Sequence, residues 1–107
     1  QSLMSASEFE VEFFDPQDSK ILHEKIIGLL NKKAIIRTRR KKTYDLLPLI
    51  LNLETFTRDS GEIGLEMSLK AEPGATGRPD EVLDELGFTN MAYLVKRTQL
   101  ILSSDIQ

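Results

Sequence analysis

Residues 63–72, IGLEMSLKAE, decide how the rest of this chain can be arranged. Apolar residues alternate there with polar or small ones, and the apolar set is Ile63, Leu65, Met67, Leu69 and Ala71. A period of two is typical of a β-strand that buries one face and leaves the other in solvent. The stretch therefore predicts a strand of an antiparallel sheet that is covered on one side only.

Further strands are predicted on both sides of this stretch. Residues 59–62, DSGE, form a turn signal that separates it from a strand at 53–58. Near the start of the chain, Phe9, Val11 and Phe13 alternate with three glutamates. The aromatic and branched residues are expected in the core and the glutamates in solvent. Residues 91–102 are predicted as the last strand.

Two helices are predicted between the strands. The first begins at residues 15–18, with Asp15 as its cap and Pro16 in its first position, and then shows an apolar stripe at helical spacing. The second has Pro79 near its start, acidic residues in its first turn and Gly87 after its end. Its carboxylates are expected to face solvent and to favour the positive end of the helix dipole.

The order of these elements indicates a ferredoxin-like sandwich of the α+β class. We expect an antiparallel sheet of four or five strands with two helices on one face. Residues 1–7 are interpreted as a linker and residues 8–103 as a single α+β domain. Because the chain starts at Gln1 without an initiator methionine, we expect the domain to be excised from a longer protein.

Composition excludes several classes of site. The 107 residues include no cysteine and one histidine, which excludes a disulfide, a thiolate-held iron–sulfur cluster and thiol catalysis. We predict no metal site and no cofactor. No apolar run approaches the ~20 residues of a membrane helix, so a membrane partner is not expected. The absence of cysteine fits a reducing interior, and we expect a cytoplasmic location.

A basic segment, KKAIIRTRRKKTYDL at residues 32–46, stands out from an otherwise acidic chain. It carries seven of the 14 lysines and arginines, while the whole chain has 17 acidic residues. One interpretation is an exposed strand that uses its charges to prevent edge-to-edge pairing. The other is a surface for an anionic partner. The segment forms either one strand or a hairpin, and the absence of glycine or asparagine at its centre weakens the hairpin interpretation.

The predicted anion-binding or nucleic-acid-binding residues lie mostly in this segment. If it is one strand, Arg37, Arg39 and Lys41 share one side and Arg40 and Lys42 share the other. Such a row of cations could contact successive phosphates of a nucleic acid, and Tyr44 could stack on a base.

The loop at residues 73–79 is a second candidate, because Gly74 and Gly77 permit unusual backbone angles and Arg78 precedes a helix. It lacks the Gly-Lys-Ser/Thr ending of a nucleotide-hydrolysing P-loop. Asp45 is predicted to cap the apolar turn that follows it, with an acid in a catalytic group as the alternative role. No catalytic residue is otherwise predicted.

Two segments, KKTYDLLPLI at 41–50 and AEPGATGRPDEVLDELG at 71–87, resemble the C-terminal part of the radical-SAM-linked bacterial domain family of unknown function. The shared features are the aspartate–leucine and proline-containing turn, then the glycine loop before an Arg-Pro-acid-acid helix start. The chain departs from the family in lacking a glycine in the basic segment and in having Leu47 where a basic residue is common.

The resemblance implies a cytoplasmic bacterial protein whose partner, fused or adjacent, is a radical SAM enzyme. Our leading hypothesis is a non-catalytic accessory domain that binds RNA or a ribonucleoprotein through the basic segment. The alternative is a protein–protein or interdomain module that self-associates or docks on a fused radical SAM enzyme. The oligomeric state is left open.

Overall fold

The computed structural model describes residues 5–102 and has a four-stranded antiparallel sheet at its centre. The elements, in chain order, are β1 (Ser5–Phe13), α1 (Ser19–Leu30), β2 (Ile36–Arg39), β3 (Lys42–Asp45), β4 (Ile50–Thr57), β5 (Ile63–Glu72), β6 (Ala75–Thr76), α2 (Pro79–Glu85) and β7 (Tyr93–Leu102). The strand order is β4-β5-β1-β7, and the short β6 pairs with β5 as a fifth strand. This is the strand order of a ferredoxin-like sandwich, so the predicted fold class is confirmed.

The alternating stretches form the two central strands, as their patterns predict. Phe9 lies opposite Met67, and Val11 lies opposite Leu65. Side chains on this face pack with the helices into one core, whose buried apolar members are Val11, Phe13, Leu22, Ile26, Leu29, Ile35, Leu46, Leu49, Leu53, Leu65, Met67, Leu69, Val82, Leu83, Leu86 and Phe88.

The opposite face of the sheet is open and carries a group of carboxylates, which we call the acidic face: Glu8, Glu10, Glu12, Glu54 and Glu66. Glu66 lies opposite both Glu10 and Glu54, so three of them form a row across three strands. Like charges in such a row repel one another. Arg58 offsets part of this charge through an ion pair with Glu12.

The predicted start of the first helix is wrong by three residues. Asp18, not Asp15, is the N-cap: its Oδ1 accepts from the backbone N–H groups of Lys20 at 2.8 Å and Ile21 at 3.2 Å. Pro16 therefore lies in the connection before α1. The sequence offers two aspartates within one turn, and the second is followed directly by the apolar stripe that α1 buries.

The basic segment folds back on itself as a hairpin of β2 and β3, which forms a separate two-stranded sheet. The two-residue turn consists of Arg40 and Lys41, whose φ angles are +52° and +68°. Both angles lie in the left-handed region, as a type I′ turn requires. The absence of glycine or asparagine therefore did not prevent the tight turn, and the single-strand alternative is wrong.

The base of the hairpin is fixed in the core. Ile35 and Leu46, which flank the hairpin, are 3% and 0% exposed, and the Leu46 N–H donates to the Ile35 carbonyl at 2.7 Å. A short 3₁₀ turn, Leu47–Leu49, then connects the hairpin to β4. The hairpin is thus an insertion between α1 and the second strand of the ferredoxin-like plan.

The predicted boundaries need one correction. β1 begins at Ser5, so the predicted linker of residues 1–7 includes three residues of the sheet. Residues 1–4 and the predicted final residue of the domain, 103, lie outside the described residues.

Candidate functional site

One face of the hairpin is turned toward helix α2. Arg37 pairs with Tyr44 across the two strands, and Arg39 pairs with Lys42. Residues directly opposite in an antiparallel pair share a face, so these four side chains lie together. The predicted grouping of Arg37 and Arg39 with Lys41 is therefore wrong, because the turn between the strands places Lys42 on their face instead.

Arg39 is held by four hydrogen bonds. Its Nε donates to Glu81 Oε2 at 3.2 Å, and its Nη2 donates to Glu81 Oε1 at 2.6 Å. The same Nη2 donates to the Tyr44 hydroxyl at 3.0 Å and to the Thr76 carbonyl at 3.2 Å. The guanidinium also lies 4.8 Å from the centre of the Tyr44 ring. Arg39 thus connects the hairpin with both α2 and β6.

Arg37 forms a second set of contacts with the same helix. Its Nη1 donates to Glu85 Oε2 at 2.8 Å, and its Nη2 donates to Asp84 Oδ2 at 3.3 Å. Its Nε lies 4.0 Å from Glu81 Oε2. Three carboxylates of α2 therefore neutralise the two arginines that the sequence had suggested for phosphates.

The expectation that the carboxylates of α2 face solvent is wrong for Glu81, whose side chain is only 8% exposed. Burial alone would raise the pKa of Glu81. Hydrogen bonds from Arg39 and Tyr44, together with the charges of Arg39 and Arg37, outweigh the burial, so the pKa of Glu81 lies below its ordinary value. The carboxylate is ionised at neutral pH and fixes the hairpin on the helix.

The same contacts shift the pKa of two neighbours. The hydrogen bond to Glu81 raises the pKa of Arg39 although burial opposes this. Burial, together with the nearby Glu81 carboxylate, raises the pKa of Tyr44. Tyr44 is therefore a neutral hydroxyl that accepts from Arg39, and it is not a general base at neutral pH.

Three cations of the basic segment are left at the end of the hairpin. Arg40, Lys41 and Lys42 are exposed, and none of them forms an ion pair with a carboxylate within residues 5–102. We call these three residues the basic tip. Its charge is available to a partner, whereas the charge of Arg37 and Arg39 is used within the domain.

A groove of about 610 Å³ lies beside the basic tip. Its wall on one side is β3, and its wall on the other side is the turn from β5 to β6. The lining residues are Arg39, Arg40, Lys42, Thr43, Tyr44, Asp45, Leu49, Gly74, Ala75 and Thr76. The groove thereby brings together six predicted site residues: Arg39, Arg40, Lys42, Tyr44, Asp45 and Gly74.

The other predicted loop residues have different positions. Gly74 has a φ of +76° in the tight turn between β5 and β6, a conformation that favours glycine. Gly77 is buried, and a Cβ there would lie 3.1 Å from Leu69 Cβ and 3.3 Å from Leu49 Cβ. Arg78 is exposed and pairs with Asp80 at 3.3 Å. Gly77 and Arg78 do not line the groove.

Asp45 has a structural contact at each side of the hairpin base. Its Oδ1 accepts from the Ile35 N–H at 2.8 Å and from the Leu47 N–H at 3.1 Å. The second bond satisfies the N–H of the first residue of the 3₁₀ turn. The N-cap of that turn is Leu46, so Asp45 lies one residue before the predicted cap position.

Glu81 is the residue that sequence reasoning missed. A signal was present: Arg37 and Arg39 are two residues apart on a strand, and Glu81, Asp84 and Glu85 are spaced to lie on one face of a helix. Complementary charges at matched periods could have suggested that the two faces meet.

Other kinds of site find no support in the described part of the chain. Within residues 5–102, no three His, Asp or Glu side chains are grouped so that they could hold a metal ion. Neither helix within residues 5–102 combines the length and the apolar character that a membrane crossing needs.

Comparisons with known proteins add no relative. No family model, no curated protein and no solved structure matches this chain.

Proposed function

We propose that this chain is a non-catalytic accessory domain that binds an anionic macromolecule, RNA or a ribonucleoprotein, through the basic tip. The observation that carries the proposal is the turn itself. Arg40 and Lys41 both have left-handed backbone angles, which cost a residue with a side chain roughly 1–2 kcal/mol each. Asn-Gly would form this turn with less strain.

Backbone strain at a solvent-exposed turn points to a function, because the packing of the core does not require it. Arg40 and Lys41 are both exposed, and neither stabilises the fold through an ion pair within the described residues. Residues kept in costly backbone conformations concentrate at sites that bind a partner. Two cations in such positions fit a partner that carries negative charge.

RNA is favoured over a compact anion by the way the charges are arranged. The three side chains of the basic tip project from the end of a hairpin and can contact successive phosphates. The neighbouring groove has room for a part of the partner that is not charged. The association with a radical SAM enzyme, fused or adjacent, rests on the resemblance of residues 41–50 and 71–87 alone.

The test is an RNA titration of the wild type and of the double variant Arg40→Asn/Lys41→Gly. This variant removes two charges and installs a preferred type I′ turn, so its stability is expected to equal or exceed that of the wild type. Binding to a mixed pool of bacterial RNA is expected to weaken at least tenfold at low salt. The slope of the logarithm of the binding constant against the logarithm of the salt concentration is expected to become shallower by about 1.4. Each phosphate contact with a single strand contributes about 0.7 to this slope, and the variant removes two contacts.

A matched control is Lys20→Gln/Lys96→Gln, which removes two exposed charges elsewhere. It should leave RNA binding nearly unchanged. The proposal is wrong if the wild type does not bind RNA at low salt, or if both double variants weaken binding equally.

A second candidate function is supported by the acidic face. The domain carries a basic tip at one end and five glutamates on its open sheet surface, so two copies, or this domain and an acidic neighbour, are complementary. Sedimentation at low and high salt tests it: a salt-sensitive dimer that is lost in Arg40→Asn/Lys41→Gly would favour this protein–protein module.

A further inference from the structure

The groove beside the basic tip has two walls with unused backbone groups. Among the described residues, β3 pairs only with β2, and β6 pairs only with β5. In a two-residue hairpin the pair that flanks the turn, here Arg39 and Lys42, is the hydrogen-bonded one. The next residue of β3, Thr43, therefore directs its N–H and C=O away from β2, along the edge of β3 that borders the groove.

The lining changes from charged to apolar with depth. Arg40, Lys42 and Thr43 are exposed and form the rim, while Leu49 is 8% exposed and forms the floor. Ala75 is half-buried between them. A volume of about 610 Å³ falls within the roughly 300–1,000 Å³ that small-molecule sites occupy. A ligand that matches this arrangement has an anionic end and a flat, less polar body.

Asp45 supplies a hydrogen-bond acceptor within the lining. Both of its backbone donors, Ile35 and Leu47, bind Oδ1. Its Oδ2 accepts no hydrogen bond from the protein within residues 5–102. The Thr43 carbonyl is a second acceptor on the same strand. Two acceptors on the same strand, two residues apart, match a ligand edge with two adjacent N–H donors.

We propose that the groove is a subsite for one unstacked nucleotide of single-stranded RNA, with a preference for guanine. The phosphate lies against Arg40 and Lys42 at the rim, and the base enters over Leu49 and Ala75. The guanine N1–H and N2–H groups donate to Asp45 Oδ2 and to the Thr43 carbonyl, as bases are read in other single-strand sites. Adenine has no N1–H and presents a single amino group on that edge.

This inference rests on the proposed RNA function and specifies which part of the RNA the groove reads. The experiment is an NMR titration of the ¹⁵N-labelled chain with GMP, AMP and inorganic phosphate in turn. GMP is expected to bind at least tenfold more tightly than phosphate and severalfold more tightly than AMP. The amides of Thr43 and Ala75 are expected to shift with GMP but not with phosphate.

Asp45→Asn is the discriminating variant. The asparagine Oδ1 can still accept from the backbone N–H groups of Ile35 and Leu47, so the hairpin base is retained, but Oδ2 is replaced by a donor. The preference for GMP over AMP should disappear while binding to phosphate stays unchanged. An unaltered preference in this variant would overturn the role of Asp45.

The two proposals fail in distinguishable ways. If single-stranded RNA binds with salt sensitivity but GMP binds no better than phosphate, the guanine subsite is wrong and the RNA function stands. If no RNA binds at low salt, both are wrong. If an acidic peptide shifts Thr43 and Ala75 where GMP does not, the groove accepts an extended strand between β3 and β6, and the nucleotide assignment is overturned.

Discussion

Replacing Glu81 by glutamine removes the charge that holds the hairpin on α2. The side chain of Glu81 is 8% exposed, and those of Arg37 and Arg39 are 24% and 27% exposed. Hydrogen bonds that involve a charged group contribute about 1.5–3 kcal/mol, and breaking a fully buried ion pair costs about 3–5 kcal/mol. Because both arginines keep contact with solvent, we expect Glu81→Gln to lower the free energy of unfolding by about 2 kcal/mol.

The expected loss corresponds to a fall in Tm of about 8 °C for a domain of this size. Urea unfolding followed by circular dichroism would measure the loss in the free energy of unfolding, and thermal unfolding would measure the fall in Tm. Asp80→Asn is the matched control on the same helix, because Asp80 and its partner Arg78 are each 54% exposed. Its effect should stay within about 0.5 kcal/mol.

A double-mutant cycle assigns the loss to a contact. Glu81→Gln is combined with Arg39→Met, which keeps a long side chain but removes the charge. We expect a coupling energy of about 1–2 kcal/mol between the two sites. Additive effects within about 0.5 kcal/mol would refute the argument that this ion pair positions the hairpin.

Gly64→Ala should lower the free energy of unfolding in urea by about 1–3 kcal/mol, because a Cβ there would lie 2.6 Å from the Val11 carbonyl oxygen. Gly28→Ala is the control: its Cβ would lie in open space on α1, so it should raise stability by about 0.5–1 kcal/mol. Asp45→Ala should lower stability by about 1–2 kcal/mol, because it leaves the backbone N–H groups of Ile35 and Leu47 without their acceptor. Asp45→Asn should lower it by less than about 0.5 kcal/mol, and equal losses would contradict the role of Asp45 Oδ1 as that acceptor. The pKa of Glu81 is lower in the folded state than in the unfolded state, where it is about 4.3. Its contribution to the free energy of unfolding is therefore complete above a pH of about 4.3 and is lost as the pH falls through the lower folded-state pKa. Acid titration should destabilise the wild type more than Glu81→Gln.

The sheet and its core were predictable because each central strand carries its own signal. In β5 and in residues 9–13 of β1 every second residue is apolar, and a shift of one residue would put the entire apolar set in solvent. The order of strands and helices then left few ways to cover one face of the sheet.

The hairpin was harder to predict because its signal is absent. Turn chemistry favours Asn-Gly at a two-residue turn, and Arg40-Lys41 has neither the flexible backbone nor the short side chain that makes such a turn favourable. Local preference therefore argued for an extended strand. Tertiary contacts overrule it: Ile35 and Leu46 are buried at the base, and Arg39 reaches Glu81 on a helix 42 residues away in sequence.

The site was predictable only in part, because tertiary contacts decide which of its cations are neutralised. A run of cations in sequence carries no information about which of them meet carboxylates in space. Within the hairpin, the structure separates Arg37 and Arg39, which are neutralised by α2, from the basic tip, which is not. Counting charges in the sequence could not make this division.

The division explains how a strained turn persists in a small domain. An isolated two-stranded hairpin is marginal in water, and left-handed angles at Arg40 and Lys41 weaken it further. The ion pairs of Arg37 and Arg39 with α2, together with the buried base, compensate for the strain of the turn and keep the hairpin docked. If these contacts keep the hairpin docked, Arg40→Asn/Lys41→Gly should raise the free energy of unfolding less in the Glu81→Gln background than in the wild type, because relief of turn strain counts only in molecules whose hairpin is docked. Equal gains in both backgrounds would mean that the turn and the ion pairs act independently.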